Sequence, residues 1–523
     1  MNLISKYFNT LKYLKFSQFY NRFIFKFTNP KVNLESIPLI NENFANKVEF
    51  PKFKNVLFEK NIFKFLNEEH TITDNWNDNN INKLWLYNLH YFDYLRQENI
   101  TNEQSLFWIE KWIDENKIGY GNGWEPYTLS LRIVNWIKFY LAGNKLSEKI
   151  IKSLSIQTEY LSKKLEYHLL ANHLLANAKA LVFAGCFFKG TKAKQWLNKG
   201  IEIYKKQLSE QILNDGGHFE RSAMYHSIIL EDLLDLKNIS APLELDSYIQ
   251  KMINCLSVMI GTDEKISLFN DAAFGIALEP KEIFKYAEQL GFKLNKHENS
   301  YDLVDTGYAR LQNKDWTLIC DGAALGPDYQ LGHSHADSLT FELWYKNERI
   351  ICDTGTKQYF YSDIRKYQRG TSAHNTIVVD GKNSSEIWSA HRVAKRAKIV
   401  ERKFDNNSFS ATHNGYKTIL HKRKWYFEKN EVCIEDVVIG KGIHTIESFF
   451  HIHLNYNVDI KDGVVKIFND KNIFGITIDK DMEVFVVDGT VSFEFGKEEQ
   501  NKIIYFKKKV DLPFNLKTKI GVL

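Results

Sequence analysis

The feature that most constrains the fold is a change in the spacing of apolar residues near residue 300 of the 523-residue chain. From about residue 60 to 290, apolar side chains recur every three to four positions, which is typical of helices that bury one face. Beyond about residue 300, apolar and polar residues alternate, which is typical of half-buried strands. The sequence therefore predicts a helical half followed by an all-β half, with the boundary between residues 292 and 304.

Two segments illustrate the helical half. Pro126 occupies the expected first position of one helix, and Gly143 ends the apolar pattern that follows it. A second helix is predicted over residues 165–184, with Gly185 as the residue that terminates it. Successive helical hairpins of this length suit an (α/α) barrel or toroid.

The carboxyl-terminal half consists of short alternating runs separated by turn residues. Strands are predicted over residues 339–345, 350–353 and 376–379, and further strands within residues 397–450. The turns between such runs are expected at Asp380-Gly381, at Gly440-Lys441-Gly442 and, as a two-residue hairpin, at Asp462-Gly463. About 220 residues of this kind are best accommodated as a large β-sandwich.

Length and composition exclude several classes of protein. A chain of 523 residues is too long for one hydrophobic core, and its formal net charge of +5 includes no Lys/Arg run typical of nucleic-acid binding. No apolar run approaches the roughly 20 residues of a membrane span. The cysteines lack CxxC spacing, so neither a disulfide framework nor a cysteine zinc site is indicated. They are Cys186, Cys255, Cys320, Cys352 and Cys433.

Residues 1–27 mix aromatic residues with Lys and Arg, which interrupts any apolar core of a secretory signal. No signal peptide is recognised, and a cytoplasmic location is therefore expected from the sequence. We interpret the segment as an amphipathic helix packed on the body of the protein, with contact to a membrane surface as the alternative.

The most specific polar motif is Gly-His-Ser-His-Ala-Asp at residues 332–337. In an extended segment His333 and His335 face the same side, so one imidazole is available to a substrate and the other to a metal. Asp353 ends a predicted strand and His374 precedes another. With His335 they provide two imidazoles and a carboxylate, a common ligand set for Zn²⁺. Structural hydrogen bonding is the alternative for each histidine alone.

Two polar clusters interrupt the helical half. Residues 166–173 place Glu, His and Asn beside leucines that favour burial, and buried amide and imidazole groups need partners. Residues 215–226 join an Asp-Gly-Gly turn to a helix that carries several titratable groups. A helix cap or a polar surface is the favoured interpretation of each group when it is taken alone.

Together these motifs resemble the heparinase II/III family of polysaccharide lyases and its alginate-lyase-like relatives. The resemblance covers roughly residues 80–450 and implies a multi-domain α+β protein, an (α/α) toroid followed by an antiparallel β-sandwich, with a substrate cleft between them. We accordingly expect an N-terminal extension over residues 1–60, the toroid over 61–295 and the sandwich over 300–523. The motifs that carry the resemblance are Asn172-His173, Tyr225 after its Asp-Gly-Gly turn, Asn270-Asp271, and the 332–337 block with Asp353 and His374.

The family chemistry is β-elimination on a uronate. The C5 proton is a poor acid beside a carboxylate, so the enzyme must neutralise that carboxylate and stabilise an enolate-like intermediate. By resemblance Asn172, with His173 nearby, matches the neutralising position. Tyr225 and His333 match the pair that removes the C5 proton and protonates the departing O4, although the sequence leaves open which is the base.

The resemblance also implies a cofactor and a substrate surface. His335, Asp353 and His374 fall on the family's metal positions, where Zn²⁺ would hold the His333 loop in place. No organic cofactor is expected. Two aromatic segments, residues 85–91 and 123–127, look like the family's cleft lining, although core packing explains any single ring. The substrate-binding residues predicted from them are Trp85, Tyr87, His90, Trp124 and Tyr127.

The expected partner is an anionic polysaccharide that contains uronic acid. No row of Lys and Arg suited to sulfate groups is recognised, which favours a bacterial surface polysaccharide over heparin. Family resemblance implies a periplasmic or cell-envelope location, in contrast to the location expected from the amino terminus.

Three other functions are compatible with the sequence. A C5-uronate epimerase would use the same carbanion but return the proton to the opposite face. A metallohydrolase is suggested by the His-x-His-x-Asp spacing, although Ser338 stands where a further His is wanted. A non-catalytic glycan-binding protein would tolerate the loss of Tyr225 and His333. Ultraviolet absorbance from an unsaturated uronate separates the lyase from the epimerase.

Overall fold

A computed structural model describes residues 3–32, 37–44, 48–59, 61–295, 299–461 and 464–523. Helices dominate the chain up to Gln289, and strands dominate it from Tyr301, which confirms the predicted change from a helical to a β-rich half. The predicted boundary at residues 292–304 falls between these elements. The helices are α1 (Leu3–Leu11), α2 (Phe16–Phe27), α3 (Lys83–Tyr91), α4 (Asn102–Glu115), α5 (Pro126–Leu141), α6 (Glu148–Ser162), α7 (Ala171–Phe187), α8 (Thr191–Gln211), α9 (Ala223–Asn238), α10 (Asp246–Val258), α11 (Pro280–Gln289) and α12 (Asp363–Gln368).

The helices α3 to α11 contribute to one hydrophobic core, and α7 packs against α5, α6, α8 and α9. The prediction for α5 is confirmed, because Pro126 is its first residue and Gly143 follows it with a φ of 99°. The helix predicted over residues 165–184 is wrong at both ends. Leu170 has a positive φ of 63°, so α7 begins only at Ala171.

Gly185 does not terminate α7 but lies inside it, where α8 approaches closely. A Cβ at this position would lie 2.5 Å from the Cβ of Leu197 on α8, which is too close for any side chain. The glycine is therefore required by helix packing and not by a left-handed cap.

The amino-terminal segment contacts the body of the protein as predicted, but it forms two helices, α1 and α2, instead of one. Gln18 is the one residue of these two helices that is buried. A three-stranded antiparallel sheet that the sequence did not predict follows these helices. Its strands are β1 (Leu57–Phe58), β2 (Ile62–Phe65) and β3 (Glu68–Thr71).

The carboxyl-terminal half contains two large antiparallel sheets. The first has the order β12-β13-β14-β15-β22-β19-β18-β17, and the second has the order β20-β21-β16-β8-β7-β6-β5-β4 with β9 beside β16. The strands are β4 (Tyr301–Asp302), β5 (Tyr308–Gln312), β6 (Trp316–Asp321), β7 (Phe341–Tyr345), β8 (Glu348–Ile351), β9 (Ile377–Val379), β10 (Ile387–Trp388), β11 (Arg392–Val393), β12 (Ile399–Asp405), β13 (Ser408–Tyr416), β14 (Ile419–Glu428), β15 (Glu431–Ile439), β16 (Ile443–Ile452), β17 (Asn457–Lys461), β18 (Val464–Phe468), β19 (Ile473–Ile478), β20 (Glu483–Val491), β21 (Glu499–Asp511) and β22 (Phe514–Val522).

Side chains from both sheets form a second core, which is the packing expected of a sandwich. The predicted strands near residues 341, 350 and 377 are confirmed, and so is the turn at Asp380-Gly381, where both residues have positive φ. Gly442, also at positive φ, precedes β16 as predicted. The predicted hairpin residues Asp462 and Gly463 lie outside the described residues.

The two halves are fixed to each other by direct contacts. Asp215 of the helical half accepts hydrogen bonds from the backbone of Asp305 and Thr306, at 2.8 and 2.7 Å. The backbone N–H of Phe274 donates to the carbonyl of Phe493 at 2.6 Å. These contacts fix the positions of the two domains on either side of the cleft. Over the described residues, no helix is both long and apolar enough to cross a membrane.

Candidate active site

A cleft of about 1040 Å³ lies between the two halves. Its walls come from α3, α5, α7 and α9 on one side and from loops of the β-rich half on the other, and residues of α1 and α2 close part of it. All four predicted catalytic residues line this cleft, although they are far apart in sequence. They are Asn172, His173, Tyr225 and His333.

Asn172 and His173 stand in the first turn of α7. The amide of Asn172 donates to Glu220 at 2.8 Å, which leaves its second N–H without a described partner. Nδ1 of His173 lies 3.1 Å from Glu166. Burial disfavours the imidazolium, but Glu166 outweighs this effect and raises the pKa of His173 above its ordinary value. This edge of the cleft therefore presents an amide donor beside a histidine whose pKa is raised by Glu166.

Tyr225 and His333 meet across the cleft, and their ring centroids lie 4.1 Å apart. Two groups this close can contact the same sugar ring. The hydroxyl of Tyr225 is hydrogen-bonded to that of Tyr359 at 2.9 Å. Burial, and then the neighbouring Tyr359, raises the pKa of the Tyr225 phenol well above its ordinary value. The phenol is therefore protonated at neutral pH and is suited to donate a proton.

His333 is held by the buried carboxylate of Asp271. Nδ1 of His333 lies 3.0 Å from Asp271, and the backbone N–H of Asp271 donates to the His333 carbonyl at 3.0 Å. Arg365 forms a two-pronged ion pair with the same carboxylate, with its second nitrogen at 2.8 Å. Burial alone would raise the pKa of Asp271, but Arg365 and the histidine hydrogen bonds hold it well below its ordinary value.

This ion pair fixes the tautomer of His333. An ionised Asp271 accepts a hydrogen bond from Nδ1–H of the neutral ring, which leaves the lone pair on Nε2. Nε2 lies 3.6 Å from Glu220, the carboxylate that also binds Asn172. Glu220 thus lies between Asn172 and His333 and is close to both.

The sequence interpretation missed three members of this arrangement, Tyr359, Arg365 and Glu220. Glu220 lies within the titratable cluster at residues 215–226, and its spacing before α9 was the available signal. Arg365 and Tyr359 lie on and just before the short helix α12, outside every motif, and nothing in the local sequence marks them.

The predicted metal residues lie near one another but are not arranged as three ligands. Nδ1 of His374 donates to Asp353 at 2.8 Å, and the rings of His335 and His374 are 5.4 Å apart. Within the described ranges, no group of three His, Cys, Asp or Glu side chains is placed to hold a metal ion. The three side chains therefore do not converge on one point as predicted, because Asp353 is hydrogen-bonded to the His374 ring itself.

The buried histidines nevertheless retain unused nitrogens. Nε2 of His335 binds Asp271 at 2.8 Å, and its Nδ1 is buried without a hydrogen-bond partner among the described residues. Nε2 of His374 is also buried, and the backbone of Gln368 is its neighbour. Burial lowers the pKa of His335 to about 4, so its ring is neutral and the lone pair on Nδ1 is free. Burial opposes the charge on His374, but Asp353 raises its pKa.

The predicted substrate-binding residues divide into two groups. Tyr87 and Tyr127 line the cleft, and Tyr127 packs against His173 with 4.6 Å between ring centroids. The other three are core residues and are corrected as such, because side chains at most 4% exposed cannot stack on a sugar. They are Trp85, His90 and Trp124.

Hydrogen bonds explain why these rings are inside. The indole of Trp85 donates to the carbonyl of Glu68 at 3.0 Å, and Trp112 donates to Nδ1 of His90 at 2.9 Å. Burial and then Arg132 lower the pKa of His90 to about 3, so the ring is neutral in the core.

A helical domain joined to an antiparallel sandwich, with Asn, Tyr and His on the cleft between them, defines the architecture of a class of polysaccharide lyases. The chain belongs to the heparinase II/III family. The family's "Heparinase II/III N-terminus" region matches residues 11–275, and its "Heparinase II/III-like, C-terminal" region matches residues 295–520.

Curated relatives share modest sequence identity with the chain. A heparin-sulfate lyase from Bacteroides stercoris is 26% identical in an alignment of 305 positions that covers 52% of this chain and 44% of the relative. A heparin-sulfate lyase from Bacteroides thetaiotaomicron is 23% identical in an alignment of 437 positions that covers 70% of this chain and 61% of the relative. The chain thus matches less than two thirds of the length of either relative.

Solved structures share the fold over most of the chain. The crystal structure of heparinase III superposes with a TM-score of 0.71 at 18% identity, covering 97% of this chain and 90% of that one. Chondroitin AC lyase from Streptomyces coelicolor A3 superposes with a TM-score of 0.54 at 9% identity, covering 84% and 74%. At these identities the likeness establishes the fold alone.

Proposed function

We propose that the protein is a polysaccharide lyase that cleaves a uronic-acid-containing glycan by β-elimination. The observation that carries this proposal is the contact between Tyr225 and His333 in a cleft that also presents Asn172. Membership in the heparinase II/III family and similarity to heparin-sulfate lyases support it.

The first step is neutralisation of the uronate carboxylate. The second N–H of Asn172 and the cationic form of His173 are both available to it, and a charged donor strengthens such a hydrogen bond. Glu220 orients the amide by accepting its other N–H. Neutralisation makes the C5 proton more acidic and stabilises the enolate-like charge that develops on its removal.

The second step divides proton transfer between the two rings. His333 has its lone pair on Nε2 because Nδ1 is bound to Asp271, so we assign it as the base that removes the C5 proton. Tyr225 keeps its proton at neutral pH, so we assign it as the acid that protonates O4 as the glycosidic bond breaks. After the step His333 releases the C5 proton to water and Tyr225 regains a proton from water, and the hydroxyl of Tyr359 is the group hydrogen-bonded to the Tyr225 oxygen during this exchange.

We also propose a structural Zn²⁺ to which His335 and His374 would each supply one nitrogen, with Asp353 orienting the His374 ring. Because zinc takes four ligands, the remaining positions would be filled by water or by a shift of Asp353. The buried Nδ1 of His335 supports this assignment, because buried polar atoms rarely stay unpaired. Hydrogen bonds from the opposite nitrogens to carboxylates are typical of histidines that bind zinc. When bound, the metal would supply rigidity to the segment that carries His333.

The charges of the cleft favour a substrate with few sulfate groups. Several of the cations that line it pair with carboxylates, which reduces but does not remove the positive charge available to a polyanion, because Arg22, Lys52, Lys54 and Arg392 line the cleft without an ion pair among the described residues. These pairs are Arg96–Asp93, Lys83–Glu125, Lys179–Asp232 and Arg396–Asp328. We therefore propose an unsulfated or sparsely sulfated uronate polysaccharide.

The test is an ultraviolet assay of the purified protein on a panel of uronate polysaccharides that includes heparan sulfate. We expect absorbance from an unsaturated uronate on at least one unsulfated member. Cleavage of heparan sulfate alone would contradict the proposed substrate, and cleavage of a glycan without that absorbance would contradict the lyase chemistry.

A further inference from the structure

The first two helices expose an apolar face to solvent, which is the reverse of the usual arrangement for a helix on a protein surface. The exposed side chains follow one another at spacings of three or four residues, so on each helix they form a single stripe. The stripe consists of Ile4 and Phe8 on α1 and of Phe16, Tyr20, Phe23 and Phe27 on α2, all between 59% and 83% exposed.

The opposite side of the same two helices is anchored to both halves of the protein. Lys15 forms an ion pair with Glu210 of α8. The indole of Trp388 donates to the hydroxyl of Thr10 at 3.0 Å. Phe25 packs on His168 with 4.0 Å between ring centroids. These contacts fix the orientation of the helices, so the apolar stripe points outward as a consequence of how they are attached.

The charge of this segment is one-sided. Residues 1–34 contain no Asp or Glu but six basic residues, which are Lys6, Lys12, Lys15, Arg22, Lys26 and Lys31. Lys12 and Lys26 are exposed beside the stripe. The core of a protein–protein interface is usually depleted in Lys, whereas aromatic rings interleaved with Lys and Arg are typical of helices that lie in the headgroup region of an anionic bilayer.

We propose that α1 and α2 dock the protein on the surface of an anionic phospholipid bilayer. The aromatic stripe enters the headgroup region, and the flanking lysines contact lipid phosphates. Tyr7, Leu11 and Arg22 of the same helices line the cleft, so docking holds the cleft beside the membrane. The proposal rests on these two helices and not on the lyase chemistry.

The test is sedimentation of the full chain with vesicles of mixed phosphatidylglycerol and phosphatidylcholine, compared with phosphatidylcholine alone. We expect binding to the mixed vesicles that weakens about tenfold or more at high salt or without phosphatidylglycerol. The triple variant Phe16→Ser/Phe23→Ser/Phe27→Ser should bind about tenfold or more weakly, because it loses the inserted rings. The matched control Phe107→Ser/Tyr120→Ser, altered at exposed rings elsewhere, should bind like the wild type.

A second variant tests the proposal independently in case the triple variant fails to fold. Lys12→Glu/Lys26→Glu keeps the rings and should weaken binding roughly fivefold or more for each lysine replaced. Circular dichroism and thermal unfolding should match the wild type for both variants. Wild-type protein that fails to sediment with mixed vesicles, or variants that sediment equally well, would overturn the proposal. A wild-type dimer that the triple variant converts to monomer, without vesicle binding, would assign the stripe to a second copy of the chain instead.

Discussion

The imidazole of His333 lies against the phenol ring of Tyr225, with 4.1 Å between their centroids, although one residue belongs to the β-rich half and the other to α9. The two groups differ in how they are held. Asp271 and Arg365 fix His333, whereas the phenol hydroxyl of Tyr225 is hydrogen-bonded to that of Tyr359. Substitutions can therefore separate the chemical role of each ring from the role of the residues that hold it.

Tyr225→Phe removes the proposed acid and little else. We expect kcat to fall by about 10² or more, which is the usual scale for losing a positioned proton donor. Thermal stability and glycan affinity should stay close to those of the wild type. Tyr359→Phe is the matched control and should cost less than about tenfold, because it alters only the partner of the acid. Full turnover by Tyr225→Phe would remove Tyr225 from the mechanism.

Asp271→Asn leaves the guanidinium of Arg365 buried without its counter-charge. Breaking a buried ion pair at one partner typically costs about 3 to 5 kcal/mol, so chemical denaturation should show a loss of this order. The control Asp488→Asn breaks an exposed pair with Lys502 and should change the free energy of unfolding by at most about 1 kcal/mol. An equal change in the free energy of unfolding for the two substitutions would show that the buried ion pair does not stabilise the structure around His333.

The raised pKa of His173 predicts a pH dependence of substrate binding. The imidazolium form is favoured below the pKa and is lost as the pH rises through it, so KM for a uronate glycan should rise on the alkaline side of that pKa. Glu166→Gln removes the main group that raises the pKa and should move the rise in KM to lower pH. His173→Gln should abolish it. A KM profile that is the same in all three proteins would exclude His173 from carboxylate binding.

If zinc binds as proposed, chelation and His374→Ala should both lower the thermal stability, and their effects should not add. A chelator should lower the Tm of the wild type, because metal binding to the folded state stabilises it. His374→Ala should already have a lower Tm and should not respond to the chelator. His444→Ala, which alters a histidine paired with Asp380 at the surface, is the control. Purified wild type without zinc and with an unchanged Tm in chelator would count against the metal site.

Periodicity and short motifs predicted the parts of this structure that depend on local sequence. The helix that begins at Pro126 follows from proline geometry, and the change to strands follows from the alternation of apolar residues. The 332–337 motif and Tyr225 are predicted as site residues because their family pattern is specific, and Gly332, His333 and Tyr225 line the cleft.

Other features depend on contacts between distant parts of the chain. Gly185 has the sequence signature of a helix end, but its role is the close approach of Leu197. Arg365 binds Asp271 across 94 residues of sequence, and no local pattern marks such a pair. Periodicity also does not tell whether an aromatic ring faces a cleft or a core, which is why Trp85 and Trp124 were expected to contact substrate and are buried instead.

The most direct test of the proposed β-elimination is proton NMR of a uronate polysaccharide incubated with the wild-type protein in D₂O. We expect shortened chains whose new non-reducing ends carry the vinylic H4 signal of a C4–C5 double bond, and no deuterium at C5 of intact residues. Full-length chains that gain deuterium at C5 without a vinylic signal would contradict it, because they would assign the Tyr225–His333 pair to epimerisation.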